Sequence, residues 1–178
     1  MDIKGNYPYA ELGVMVLAEK DEFCEQIRLC ENAMYALAFS VVKNDADAAE
    51  IMSESVFRAY TARTGLKSRK AFKAWILKIV HNTAVEYIRK ESKTVELSEG
   101  CAVSDTEESS IASSLSLREA VKALPQPYRT AIVLFYYESL SASQIARITD
   151  STPAAVRKQL SRGRSLLRES LKEDFANE

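Results

Sequence analysis

The sequence predicts an all-α protein: two small helical domains joined by a flexible acidic linker. Three observations lead there. Apolar residues recur with the helical period over most of the chain. Glycine (5) and proline (4) are too scarce in 178 residues for the many tight turns of an all-β protein. Between the two periodic regions lies a serine-rich acidic stretch almost without aromatics.

The first periodic stretch is Asp21 to Val42, with Phe23, Ile27, Cys30, Ala33, Met34, Leu37 and Val41 on its inner side. Residues 1–20 read as an N-terminal arm. Asn44 and Asp45 break the first helix and cap a second, which runs to about Tyr60 and turns Ala48, Ile51, Met52, Val56 and Ala59 inward. Thr61 to Arg69 contains Gly65 and reads as a loop. A third helix covers about Lys70 to Lys90, burying Phe72, Trp75, Ile76, Ile79, Val80, Thr83 and Tyr87. These three helices can share one core, which makes 21–92 a domain. Residues 93–115 cannot bury enough apolar area to offset their ordering entropy and form the linker. The second domain, 116–178, opens on a capping-box pattern, Ser116 to Glu119. Pro125 and Pro127 separate its first helix from an apolar one, Tyr128 to Glu138, expected at the centre. Ser141 and Gln144 form another capping box before a short helix ending near Thr149. Thr152 then caps a last helix with Pro153 at its first position, where the missing N–H costs nothing.

The net charge of −1 conceals a pattern. Residues 1–60 sum to −6, 61–93 to +7, 94–120 to −5, and the remainder is weakly basic. Two basic segments held apart by an acidic one suit two contacts with a polyanion. In the second domain, a short capped helix, a tight turn at Asp150-Ser151 and a longer basic helix make a helix-turn-helix pattern. Ile145, Ala146 and Ile148 face inward from the first helix, and Val156, Leu160, Leu166 and Leu167 from the second. Arg157, Lys158, Ser161, Arg162 and Arg164 remain for a major groove and its phosphates. On the third helix Lys78, His81, Asn82, Val85 and Arg89 share one stripe. Lys67, Arg69, Lys70 and Lys73 precede or start it, a set suited to a single strand or a distorted duplex. The second helix offers Asp47, Glu50, Glu54 and Arg58 off its apolar side.

No cysteine–histidine pair, paired carboxylates or glycine-rich phosphate loop argues for an enzyme, and no cofactor or metal is called for. Cys24 and Cys30 read as core thiols. Without a membrane span or a signal-peptide core, the expected address is cytoplasmic. An operator-binding helix-turn-helix regulator, with 21–92 as a dimerisation or sensing module, is the competing reading.

Asp47-Ala-Ala-Glu-Ile-Met-Ser-Glu54, with Phe72-Lys-Ala-Trp75-Ile-Leu-Lys-Ile-Val-His-Asn82 and Glu86-Tyr-Ile-Arg89, resembles conserved region 2 of bacterial extracytoplasmic-function (ECF) sigma factors, of the sigma-70 family. Leu124-Pro-Gln-Pro-Tyr-Arg129, Ser141-x-x-Gln-Ile-Ala146 and Val156-Arg-Lys-Gln-Leu-Ser-Arg-Gly-Arg164 resemble their region 4. The resemblance covers about residues 21–172. It implies a dissociable subunit of RNA polymerase that directs promoter recognition and DNA melting. It assigns Asp47, Glu50, Glu54 and Arg58 to the clamp helices of the polymerase β′ subunit. Lys67, Arg69, Lys78, Asn82 and Arg89 fall to the melted −10 element. Ala155, Arg157, Lys158, Arg162 and Arg164 fall to the −35 element, with the polymerase β flap also touching this domain. Many members are held inactive by an anti-sigma factor, often membrane-bound. The sequence departs from the family pattern at Ser53 (usually Gln), Glu86 (commonly Asp), Ala155 (often Thr), Gln159 (often Arg) and Gly163 (usually Ala).

Overall fold

In the computed structural model, the backbone is described for residues 8–66, 68, 71–97 and 117–176, and side chains for 22–64, 66, 68, 71–92 and 117–171. Lys67, Arg69, Lys70, Cys101, Ser116 and nearly all of the expected linker lie outside the described residues.

Seven α-helices follow in order among the described residues: α1 Pro8–Val42, α2 Asp45–Ala62, α3 Phe72–Leu97, α4 Leu117–Ala123, α5 Gln126–Ile132, α6 Ala142–Ile148 and α7 Pro153–Ala176. Two boundaries differ from expectation. Helix α1 starts at Pro8, so residues 8–20 are helical rather than an arm; a proline is tolerated there because the first turn has no use for its N–H. Helix α3 runs through residue 97, taking in the first five positions expected of the linker.

Local chemistry sets several ends. The Asn44 side chain accepts the N–H groups of Ala46 (2.8 Å) and Asp47 (3.1 Å) and so starts α2. Ser141 and Gln144 make the expected capping box on α6. At α6's other end Asp150 turns left-handed (φ 49°) and the Ser151 N–H reaches back to the Ala146 carbonyl at 2.9 Å. This closure satisfies a carbonyl the helix would leave orphaned. Thr152 Oγ1 then accepts the Ala155 N–H at 3.1 Å, opening α7.

Helices α1, α2 and α3 pack on one another, and α4, α5 and α6 each pack against α7. The two sets then pack together, α1 on α5 and α3 on α6, so a single apolar core runs through both. Met34, Leu37, Ile76 and Leu77 are fully buried on one side of it, and Leu134, Ile145 and Ile148 on the other. Burying each such side chain contributes about 1.5–3 kcal/mol. The double packing explains residues the simple periodicity omits: Ala38 and Ser40 on α1, and Leu77 and Ala84 on α3, are buried beside the expected positions.

After Ile132 the chain widens into a π-helical turn, Val133–Tyr137. The extra residue per turn splits the expected central apolar helix. Val133 and Leu134 stay inside, while Phe135, Tyr136 and Tyr137 emerge, Tyr137 at 59% exposure. Two further expectations are corrected. Leu166 is 37% exposed, leaving Leu167 to pack against the core. Cys24 is exposed, and only Cys30 is a core thiol, its pKa pushed up by burial.

Gly163 sits inside α7 for a packing reason. A Cβ there would stand 3.0 Å from Ile132 Cγ1 and 3.4 Å from Tyr128 Cβ, so its absence lets α5 and α7 approach closely.

Candidate nucleic-acid and polymerase interfaces

Helix α7 presents the clearest cationic surface. Val156 and Leu160 anchor it in the core, and the helical period places Arg157, Lys158, Ser161 and Arg162 on the opposite, exposed side. Ala155 is half-buried. Arg164, although exposed, donates its Nε–H to the Leu160 carbonyl (3.2 Å) and edges a groove of about 600 Å³ between α4, the π turn and α7. That groove is walled by Leu117, Val121, Ile132, Tyr136, Tyr137 and Leu167. The sequence reading missed it, because three consecutive aromatics look like core until the π turn brings them out.

The α3 stripe is divided. Asn82, Val85 and Arg89 are exposed. Lys78 is not a bare cation: its Nζ lies 2.6 Å from an Asp150 carboxylate oxygen in the helix-turn-helix turn. His81 is half-buried, and burial lowers its pKa, opposed by Asn82 and Asp150 and assisted by Lys78. Its Nδ1 is buried without a hydrogen-bond partner among the described residues. Trp75 packs against the core, with its ring 5.6 Å from Phe72. It is a structural residue more than a stacking platform. Lys67 and Arg69 lie outside the described residues.

The candidate docking residues on α2 are wired to α3. The Tyr87 hydroxyl donates to Asp47 at 2.8 Å, which pushes the phenol up to about 12. Arg58 reaches Glu54 at 2.6 Å and Glu86 at 2.7 Å, and Lys90 reaches Glu86 at 3.1 Å. The Arg58 guanidinium, then Lys90, hold the Glu86 carboxyl at about 2. Pairs this exposed contribute little to stability. They do fix the side chains in place and leave a polar cleft between α2 and α3, where Glu50, Glu54, Glu86 and Glu91 outnumber Arg58 and Lys90. Phe57, 65% exposed on α2, adds an apolar contact that sequence reading did not single out. Its signal was available: it lies off the period of the buried residues.

Among the described residues no group of three or more His, Cys, Asp or Glu side chains could hold a metal ion, and no helix is long and apolar enough to cross a membrane.

Comparison with known proteins agrees with the order of the two halves. The sigma-70 region 2 profile matches residues 27–94, and the sigma-70, region 4 profile matches residues 114–167. The RNA polymerase sigma factor SigV of Bacillus subtilis is 35% identical over 153 residues, spanning 80% of this chain and 87% of that protein. The ECF sigma factor SigW of the same organism is 27% identical over 171 residues, covering 87% and 91%. Among solved structures, the sigma factor RpoE of Bartonella quintana, crystallised with the anti-sigma factor NepR, superposes with a TM-score of 0.74 at 24% identity. That match covers 86% of this chain and 98% of the other.

Proposed function

The chain belongs to the sigma-70 family as an ECF-type sigma factor, and from that premise we propose which of its surfaces do the work. Sigma factors bind core RNA polymerase and promoter DNA. The observation that carries the assignment is the ordered pair of regions 2 and 4, each bearing its own cationic helix face.

Residues 21–92 act as the unit for polymerase docking and the −10 element, 93–115 as the connection, and 116–178 as the unit for the −35 element. Glu50, Glu54 and Phe57 meet the β′ clamp helices. Asp47 and Arg58 act from behind, Asp47 through Tyr87 and Arg58 by holding Glu54 and Glu86 in register. Lys78, Asn82 and Arg89, with Lys67 and Arg69, take the melted −10 strand, where cations hold phosphates and an amide can pair with a base edge. Arg157 and Lys158 lie in the first turns of α7, where side chains reach base edges, and Arg162 lies further on, toward the backbone. Ala155, half-buried, adds close backbone approach, and Arg164 acts from the edge of the apolar groove. That groove, with its exposed Tyr136 and Tyr137, suits the β flap.

The work is done in the cytoplasm, as an initiation factor with no reaction of its own. Control by an anti-sigma factor is supported by the fold shared with a sigma factor solved in such a complex.

Run-off transcription tests the reading. Transcripts should require both this chain and core polymerase, and Glu54→Lys should weaken core binding while leaving the helical circular dichroism unchanged. A repelling charge at a docking face lowers association rate and affinity. Equal specific DNA affinity with and without polymerase would instead favour the operator-binding regulator.

A further inference from the structure

Thr83, on α3, is only 5% exposed and lines the cleft between α2 and α3, yet its Oγ1 has no hydrogen-bond partner among the described residues. A hydroxyl on a helix ordinarily donates to a carbonyl three or four residues back. Ser55 on α2 and Ser92 on α3 do so, to Ile51 at 2.6 Å and to Ile88 at 2.9 Å. Thr83 does not, and a buried polar group left unpaired is destabilising. It marks a place where a group from outside the fold can bind.

The surrounding charges give the sign of that group. Of the glutamates lining the cleft, Glu54 and Glu86 are held by Arg58 and Lys90. Glu50 and Glu91 have no ion-pair partner among the described residues. Both lie near Tyr87: the bond to Asp47 raises the phenol's pKa most, and the charges of Glu50 and Glu91 raise it further. The cleft is therefore suited to a cation. A metal ion does not fit, because among the described residues no three His, Cys, Asp or Glu groups come close enough to share one. Carboxylates dispersed along a cleft of about 790 Å³ match positive charges dispersed along a chain instead. Ile51, only 1% exposed, and the Tyr87 ring also line the cleft and offer apolar surface to methylene groups.

We propose that this cleft binds a linear alkyl polyamine, with one ammonium at Glu50 and Glu91, a second donating to Thr83 Oγ1, and the methylenes against Ile51 and Tyr87. The ligand supplies the donor that the fold denies Thr83, and its contacts to the carboxylates are charge-assisted hydrogen bonds. Glu50 also belongs to the polymerase-docking surface, so a bound polyamine and core polymerase exclude one another. That exclusion rests on the docking surface proposed above; polyamine binding does not.

Isothermal titration calorimetry of the full chain with spermidine, at fixed ionic strength, tests the site. One saturable event is expected, and MgCl2 at the same ionic strength should not reproduce it. Glu50→Gln with Glu91→Gln, both exposed, should keep the helical circular dichroism and weaken spermidine binding by more than about tenfold, through the loss of two charge-assisted bonds. Thr83→Val keeps the side chain's shape and removes the orphaned hydroxyl. It should weaken spermidine binding several-fold without lowering the denaturant midpoint, whereas a hydroxyl of purely structural value would show the reverse. Heat that does not saturate, or that Mg2+ matches, overturns the site in favour of a diffuse counterion effect. Unchanged affinity in either variant overturns the placement of the ligand. Spermidine should also slow the association of the wild-type chain with core polymerase, and slow it less for Thr83→Val. If spermidine binds as described and core association is unaffected, the polyamine site stands and the docking assignment of Glu50 falls.

Discussion

On α7 the side chains of Arg157, Lys158 and Arg162 stand exposed, whereas on α3 Lys78 is held by Asp150 and His81 is half-buried. Both helices carry a cationic stripe, yet only one is fully presented. The difference comes from the neighbours each helix has. Helix α7 opens with a Thr152 cap, buries Val156 and Leu160, and packs against the short helices α4, α5 and α6 of its own half. Helix α3 packs against α1 and α2 of its own half and also against α6 of the other. A cationic face on a doubly packed helix is shared between a macromolecular ligand and the fold itself.

The strongest way to break this contrast is to remove the group that joins the halves. Arg129→Ala leaves the Ser40, Lys122 and Leu124 carbonyls without the donor they have, and a buried unsatisfied acceptor costs about 1–3 kcal/mol. Denaturant unfolding should show a loss of about 3 kcal/mol. Lys78→Ala, which removes only an exposed ion pair, should cost less than about 1 kcal/mol. Equal losses would mean that the two contacts carry the interface alike.

The exposed stripe can be sharpened internally. Arg157→Ala should relax preference at one or two −35 positions by about 1–3 kcal/mol, because a base contact is lost there. Arg162→Ala should lower activity uniformly across promoter variants and reduce the salt slope by about one, as for a phosphate contact. A −35 library transcribed with each mutant holoenzyme separates the two; the reverse pattern would place α7 differently in the groove.

Smaller still is the effect expected at Gly163. Alanine gains about 1 kcal/mol of helix propensity but presses its Cβ to 3.0 Å from Ile132 Cγ1. The single change should therefore alter stability by less than about 1 kcal/mol. Made in an Ile132→Ala background, where the obstructing atoms are gone, the same change should be clearly stabilising. A missing coupling in that double-mutant cycle would show that α5 and α7 do not need the glycine.

The smallest expected effect is a titration. Tyr87 donates to Asp47 only while protonated, and its pKa is raised from 10 to about 12. Its stabilising contribution is fully present below pH 10 and is lost as pH rises toward 12. Absorbance at alkaline pH should show tyrosine ionising late, with Tyr35 also raised by its bond to Asp45, and Tyr87→Phe should remove the step near 12. If the late step persists in the variant, another phenol carries it.

Much of this was legible because it is local. Asn44, Ser141 and Thr152 cap helices by bonds to residues two or three positions away, and a period of 3.6 places Leu37, Ile76 or Ile145 inside whatever the partner is. The two regions and the cationic faces followed from the same short-range rules, and the motif order identified the family. Other features escaped for equally physical reasons. The emergence of Phe135, Tyr136 and Tyr137 depends on a π turn that no apolar count signals. The two-sided burial of α1 and α3 leaves residues such as Ser40 looking like surface until α5 and α6 arrive.

By itself, then, the sequence determined the central turns of most helices, several of their caps, and most of their apolar and cationic positions, since each depends on neighbours within one or two turns; the helical stretches 8–20 and 93–97 and the π turn escaped it. Only the tertiary structure decided that Arg129 closes the end of α1, that Lys78 is spoken for by Asp150, and that Glu54, Arg58 and Glu86 form one chain of charges. Arginine, lysine and carboxylates read in sequence as solvated charges. Their partners lie 28 to 89 positions away for Arg58–Glu86, Lys78–Asp150 and Arg129–Ser40, and what selects them is the packing of helices that local periodicity leaves unspecified.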